Sequence, residues 1–256
     1  MKIGDILARL PPPPLLPDEP AGPAVLQCPA HGPFAGQWIP SPVKDGQRHW
    51  EPVGECAGCR THARVSRLIQ SASISPRFAH CEFRNFVAST KEQKDALSVA
   101  RDYAENFADV RATGRCLMLI GRPGTGKNHL AVSITKAIAA QGYTALHTTA
   151  YEAIKSIRAT WDRSEATESE EDVVRRYVEV DLLVIDEVGR TFGSPNEQVH
   201  FFEIIDRRYR DIKPTLIISN QSWADVERVL GPATYDRLRE GGGTRVVFAG
   251  KSYRDG

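Results

Sequence analysis

From residue 114 onward, five short apolar runs punctuate the chain: Cys116-Leu117-Met118-Leu119-Ile120, Thr144-Ala145-Leu146-His147-Thr148, Leu182-Leu183-Val184-Ile185, Thr215-Leu216-Ile217-Ile218-Ser219 and Thr244-Arg245-Val246-Val247-Phe248. Between them, apolar residues recur at helical spacing. Leu130, Ile134 and Ile138 follow the first run, Ile154, Ile157 and Trp161 mark residues 151–161, and Val199, Phe202, Ile205 and Tyr209 mark a later helix. A further helix over 91–110 precedes the first run, with Leu97, Ala100, Tyr103, Ala104 and Phe107 on one face. Another is predicted over Trp223 to Leu230. Strand-length runs alternating with helical periods predict an α/β fold. Residues 162–172 read as an exposed acidic connection, and Val173 to Val180 lead into the third strand. Gly142 predicts a helix end, and Ser194-Pro195-Asn196-Glu197 a capping box with Pro at the first helical position.

The first 72 residues follow another pattern. Ile3, Ile6, Leu7 and Leu10 sit at helical spacing before Pro11 to Pro14 forbid continuation. So short a helix is marginal alone, so it either frays or orders against a partner. A Pro-rich tether runs on towards Pro23, so that residues 1–27 lack a core of their own. Cys28-Pro29-Ala30-His31 and Cys56-Ala57-Gly58-Cys59 are then two pairs of ligand-type residues, each two residues apart. Two such loops supply the four corners of a zinc tetrahedron, and a closed structural site explains how residues 28–72 fold with little core. His49 and His62 are alternative ligands. Arg60 to Ile69 predicts a helix leading away, Ser75-Pro76 breaks it, and a domain over 73–256 follows a boundary near residue 72.

Composition narrows the function. Of 256 residues 41% are apolar, enough for a packed core, and 33 basic against 32 acidic residues nearly cancel. Binding to nucleic acid therefore needs a local basic surface rather than bulk attraction. No run approaches the roughly 18 apolar residues of a membrane span, and the first residues lack a signal core. The expectation is a cytoplasmic protein without membrane partners, its five cysteines reduced and available to metal.

The candidate chemistry sits after the first run, in Gly121-Arg122-Pro123-Gly124-Thr125-Gly126-Lys127-Asn128. A strand, a glycine loop and a helix in that order form a phosphate-binding P-loop. The glycines let successive backbone N–H groups turn inward, the new helix aims its N-terminus at the anion, and Lys127 reaches the outer phosphates. Ser or Thr usually follows this lysine and ligates Mg2+. Here Asn128 offers a carboxamide oxygen, also a hard neutral ligand. The third run ends in Asp186-Glu187, a Walker B arrangement in which Asp186 reaches Mg2+ and Glu187 orients the attacking water. Asn220, closing the fourth run, falls beside them within reach of the γ-phosphate or its water.

This ordered set, with Tyr235-Asp236-Arg237-Leu238 after it, resembles the AAA+ ATPases. The stretches Gly124-Thr125-Gly126-Lys127-Asn128-His129-Leu130-Ala131, Leu182 to Gly189 and Asp206-Arg207-Arg208-Tyr209 look like the DnaC-type replicative helicase loaders, a family in which Asn also follows the lysine. The resemblance covers residues 75–253, and the zinc-knuckle front is similar to that of phage and prophage loaders. It implies a parallel sheet of order 5-1-4-3-2 sandwiched by helices, and no C-terminal lid after Phe248. It also implies a nucleotide site of Gly121, Pro123 to Lys127, Asn128 and His129, with Asn220 as sensor 1 and Arg237 as an arginine finger acting on a neighbouring subunit. The helix over 151–161 maps to the loader region that contacts single-stranded DNA, with Lys155, Arg158 and Trp161 as candidates; Trp161 is equally readable as core. The implied function is an ATP switch that loads a hexameric replicative helicase onto single-stranded DNA, hydrolysing slowly and self-associating through Arg237. An IstB-type transposition helper and an ATP-binding adaptor with little hydrolysis are the alternatives.

Overall fold

The computed structural model describes residues 17–41, 48–161, 167–189, 195–250 and 252–253, without the side chains of 195 and 196. The expected helix over 3–10 and Ser194 of the capping box lie outside them. The chain forms two compact units, Met1–Arg64 and Val65–Gly256.

In the first unit β1 (Ala24–Cys28), β2 (Gly32–Pro40) and β3 (Trp50–Val53) make an antiparallel sheet in chain order. No strand is predicted from the sequence for these residues. Its short alternation of half-exposed residues, interrupted by Gly and Pro, is a weak strand signal. Gly32, at φ 78°, turns β1 into β2, and Gly36 admits Val53 so closely that a Cβ there would lie 2.6 Å from its carbonyl oxygen. The helix α1 (Ala57–Ser71) begins directly after Cys56 and takes Cys59 into its first turn, near the predicted 60–69.

The second unit carries the parallel sheet: β4 (Leu117–Gly121), β5 (Ala145–Thr149), β6 (Leu182–Asp186), β7 (Thr215–Ser219) and β8 (Thr244–Phe248), in the spatial order β5-β6-β7-β4-β8. Numbered from the P-loop strand, that is the expected 5-1-4-3-2. Alternate residues of each strand enter opposite cores. Leu117 and Leu119 pack with Tyr103, Phe107, Leu130 and Ile134, whereas Met118 and Ile120 pack with Ile154, Val174, Ile204 and Val226. The helices on the first side are α2 (Lys91–Glu105), α3 (Phe107–Thr113) and α4 (Lys127–Ala140), and those on the second are α5 (Ala150–Ala159), α6 (Glu170–Glu179), α7 (Pro195–Arg210) and α8 (Trp223–Arg239).

Three boundaries differ from expectation. The helix over 91–110 is broken at Asn106, whose side-chain amide donates to the Asp102 backbone oxygen at 3.2 Å and its carboxylate at 2.9 Å. The acidic connection ends early: Ser169 caps α6 through the Asp172 N–H, so Glu170, Glu171 and Asp172 are its first turn, where the helix dipole favours them. The helix from Trp223 continues past Leu230 through a kink at Gly231 and Pro232. Arg208, fully buried, explains part of the 206–209 motif. It donates to the carbonyls of Tyr177, Val178, Val180, Asp181 and Pro214 at 2.6–3.3 Å, fastening the end of α6 and the starts of β6 and β7 to α7.

Candidate functional site

The carboxyl ends of β4, β6 and β7 converge on one cavity of about 1130 Å³. Its floor is the P-loop. Gly121, Gly124 and Gly126 have φ of 137°, 75° and 99°, and Gly126 caps α4. A Cβ on Gly121 would fall 2.2 Å from the Phe248 oxygen, and one on Gly126 2.6 Å from the Phe86 ring, so both positions require glycine. Thr125 donates to the Arg122 carbonyl at 2.7 Å, closing the loop. Lys127 is buried, and its ammonium donates to the Gly121 and Arg122 carbonyls at 2.7 Å each.

Asn128 meets Asp186 directly: its Nδ2 donates to Asp186 Oδ2 at 2.7 Å, while Asp186 Oδ1 accepts the Glu187 backbone N–H at 2.6 Å. Burial pushes the Asp186 carboxyl above its ordinary range, against the hydrogen bonds from Glu187 and Asn128 and the Lys127 charge. Glu187 takes φ 56°, a conformation uncommon for a residue with a side chain, at the point where β6 opens into the cavity. Asn220 and Gln221 line the same cavity. Their loop is tied to the Walker B loop because Ser219 Oγ donates to the Val188 carbonyl at 2.6 Å and accepts the Gln221 N–H at 3.1 Å.

The opposite wall was missed in sequence. His80, Cys81 and Phe86 line it, and His129 Nε2 lies 2.9 Å from the Glu82 carbonyl with its ring edge-on to Phe86. Tyr253 closes that side, donating its backbone N–H to the Gly124 carbonyl at 2.8 Å and its hydroxyl to the Val87 carbonyl. Only the spacing of aromatic residues on both flanks of the domain hints at such a wall. A deep site with a cationic floor, acids at one end and aromatic rings at the other fits a nucleoside triphosphate and its magnesium ion.

The remaining predicted residues lie elsewhere. Arg237 does not line the cavity. Its Nε donates to Asp206 at 2.5 Å, and its guanidinium covers the Phe202 ring at 4.8 Å. On α5, Lys155 is exposed and Arg158 pairs with Glu197 at 2.8 Å. Trp161 is 50% exposed, its indole N–H donating to Glu170 at 3.0 Å. It is therefore a surface residue, which removes the core alternative.

In the first unit Cys28 and His31 flank the β1–β2 turn, while Cys56 precedes α1 and Cys59 lies in its first turn. Their four ligand atoms lie within 4.8 Å of one another. Cys28 Sγ to Cys59 Sγ measures 3.5 Å, as does His31 Nδ1 to each of the three sulfurs. Ligands on a zinc tetrahedron are spaced by about 3.5–3.8 Å, given bonds of about 2.1 Å to nitrogen and 2.3 Å to sulfur. Gly58 makes room, since a Cβ there would lie 2.7 Å from the His31 ring. Backbone hydrogen bonding from Ala30, then His31 and Cys59, brings Cys28 down to about 6, while the same contact with Cys28 pushes Cys59 up to about 11, so a metal would have to displace the proton of Cys59. His62 stands outside the cluster, its ring edge-on to His31 at 5.6 Å, and so does His49. The donor set fits Zn2+.

Residues 54–255 match the family described as IstB-like ATP binding protein. The replicative helicase loader DnaC of Escherichia coli K12 is 35% identical over 191 residues, covering 75% of this chain and 76% of DnaC. The uncharacterized protein YdaV of the same strain is 31% identical over 232 residues, 89% of this chain and 90% of YdaV. Among solved structures, a crystal structure of the DnaC helicase loader superposes with a TM-score of 0.59, covering 68% of this chain and 99% of that one at 24% identity, a likeness of fold. Among the described residues, no helix is long and apolar enough to cross a membrane.

Proposed function

Since this chain belongs to the IstB-like ATP-binding family and is of the DnaC type within it, we propose that it is an ATP-controlled loader of a replicative helicase onto single-stranded DNA. The observation carrying this reading is the convergence of Lys127, Asn128, Asp186, Glu187 and Asn220 on one cavity, in a chain that matches DnaC over three quarters of both lengths.

ATP enters with its phosphates over the P-loop N–H groups. The Lys127 ammonium exchanges its two carbonyl partners for phosphate oxygens, a charge-assisted contact that needs the triphosphate. Asn128, through its oxygen, and Asp186 would hold Mg2+, which supplies charge neutralisation at the outer phosphates. Glu187 accepts a hydrogen bond from the attacking water and turns it toward the γ-phosphorus, and Asn220 senses whether that phosphate is present. Arg237 serves a neighbouring protomer. Cys28, His31, Cys56 and Cys59 would hold one structural zinc ion; four protein ligands leave no open position for chemistry.

Replacing Glu187 by Gln is expected to keep ATP binding and slow hydrolysis, trapping the ATP-bound complex with the helicase. Lys127→Ala is expected to lose nucleotide binding. A pull-down from host lysate in the presence of ATP reads both. Capture of a transposase instead of a helicase by the Glu187 variant would support the transposition-helper reading, and equal ATP affinity in the Lys127 variant and wild type would refute the P-loop assignment.

A further inference from the structure

The stretch expected to meet DNA, α5 with Trp161 beyond its end, carries two basic residues, Lys155 and Arg158, the second of them paired with Glu197. A second and denser run of basic residues lies on α1. Residues 56–81 contain Arg60, Arg64, Arg67 and Arg77 and not one Asp or Glu. Acids average one residue in eight over the whole chain, so about three would be expected in such a stretch.

The charge is also arranged. Arg60, Arg64 and Arg67 are spaced four and three apart on α1, and at 100° per residue they fall within an arc of about 60°. All three are exposed. The half-buried Val65, Leu68 and Ile69 occupy a different face, turned by about 120° from the arginines. None of the fifteen residues of α1 is fully buried. The first turn, which carries Arg60, is fixed by Cys56 and Cys59, and the Arg60 N–H donates to the Cys56 carbonyl at 2.9 Å.

We propose that this face of α1 binds the phosphodiester backbone of nucleic acid through Arg60, Arg64 and Arg67. The stripe is one residue wide and runs about 10 Å along the helix, which suits a strand of evenly spaced phosphates better than a broad acidic protein face. Arginine also offers paired donors to phosphate oxygens. This inference rests on the loader reading only in taking DNA as the partner. It adds a contact on the helix that carries Cys59, outside the nucleotide cavity.

The test uses the full, zinc-loaded chain and a fluorescent oligonucleotide, single-stranded or duplex, with affinity followed by anisotropy as KCl is raised. With Arg60, Arg64 and Arg67 all replaced by Gln, affinity at low salt is expected to fall about tenfold or more. The slope of log K against log salt should drop by about 2 for a single strand, from about 0.7 per lost phosphate contact. A duplex would lose about 0.9 per contact, so the responding arm identifies the natural strand form. The triple Arg→Lys variant should keep the slope, because point charges still neutralise phosphates. Zinc content and ATP binding report that the fold survives, and Arg64→Gln alone, with a third of the effect, serves if the triple variant does not fold. Unchanged affinity and slope with both strand forms would overturn the proposal. So would a Lys variant that loses as much as the Gln variant, or loss of helicase capture with DNA binding intact, which would assign the stripe to protein. Helicase trapping by Glu187→Gln is independent of these outcomes, so the two readings fail separately.

Discussion

Asn128 is where this P-loop departs from the usual Ser or Thr, and its surroundings explain why the departure is tolerated. The amide nitrogen is spent on Asp186 at 2.7 Å, which holds the residue in place and leaves the oxygen as the ligand-type atom. A threonine hydroxyl can play both parts as well. Asn128→Thr is therefore expected to leave ATP affinity within a few-fold of wild type and to keep or raise turnover; loss of ATP binding in a calorimetric titration would give Asn128 another role. His147 presents a different single-residue case. Burial holds it down from 6.5 to about 4, and its Nε2 lies 2.6 Å from Thr135 Oγ1. The imidazole is neutral in the fold, so below about pH 6.5 the unfolded chain takes up a proton that the folded chain refuses until about pH 4. Its contribution is complete above 6.5 and is lost as pH falls through this window, by up to about 3 kcal/mol for a shift of this size. Denaturant midpoints of wild type and His147→Gln, followed from pH 7 to about pH 4, should draw together as the wild type loses this contribution. Curves that stay parallel would assign the acid sensitivity to other groups.

How far an element could be read in the sequence depended on whether its signal was local. β4, β6 and β7 are continuous apolar runs because both faces are covered, and the P-loop helix follows its glycines, so all were legible. The break at Asn106 and the start of α6 at Ser169 depend on single side-chain caps competing with a periodic pattern, and both were misplaced. The aromatic wall of the nucleotide cavity left only a faint trace because Phe86 and Tyr253 are far apart in sequence and meet only through the fold. The cysteine pairs were legible from spacing alone, whereas the sheet that carries the first pair was not. That difference bears on stability. With so little apolar core among β1, β2 and β3, a bound metal ion would supply much of the folding energy of the first unit. Protein purified without chelator is expected to carry close to one zinc per chain, and Cys56→Ser should unfold the first unit while ATP binding by the second survives. Elemental analysis and tryptophan emission, with Trp38 and Trp50 as reporters, read the two effects. Zinc-free protein with a native emission spectrum would end the idea.

At the scale of the whole molecule, the proposed assembly of protomers calls for a positive charge at the γ-phosphate supplied by a neighbouring chain. Arg237 is the candidate to provide it in a neighbour, and its present environment sets conditions. It is held by Asp206, which also accepts from Arg210 at 3.0 Å, and it lies over Phe202 and Tyr209. A guanidinium so placed is oriented, yet it must exchange a carboxylate for a phosphate when protomers meet. Because Arg210 can keep Asp206 paired, the exchange leaves no buried carboxylate alone. ATPase activity per chain is then expected to rise with protein concentration or on adding single-stranded DNA, as protomers assemble. Arg237→Ala should flatten that rise with ATP binding intact, removing transition-state stabilisation of about 10³-fold where such a finger is fully engaged. The substitution also removes the Asp206 contact, so its melting temperature has to be measured beside its rate. Arg237→Lys, which retains the ion pair and not the planar fork, separates the two effects: near-native stability with a flattened rate assigns the loss to the neighbour's phosphate. A wild-type rate per chain that ignores both concentration and DNA, matched by Arg237→Ala, would leave Arg237 as a structural partner of Asp206 and favour an adaptor that binds ATP without assembling to hydrolyse it.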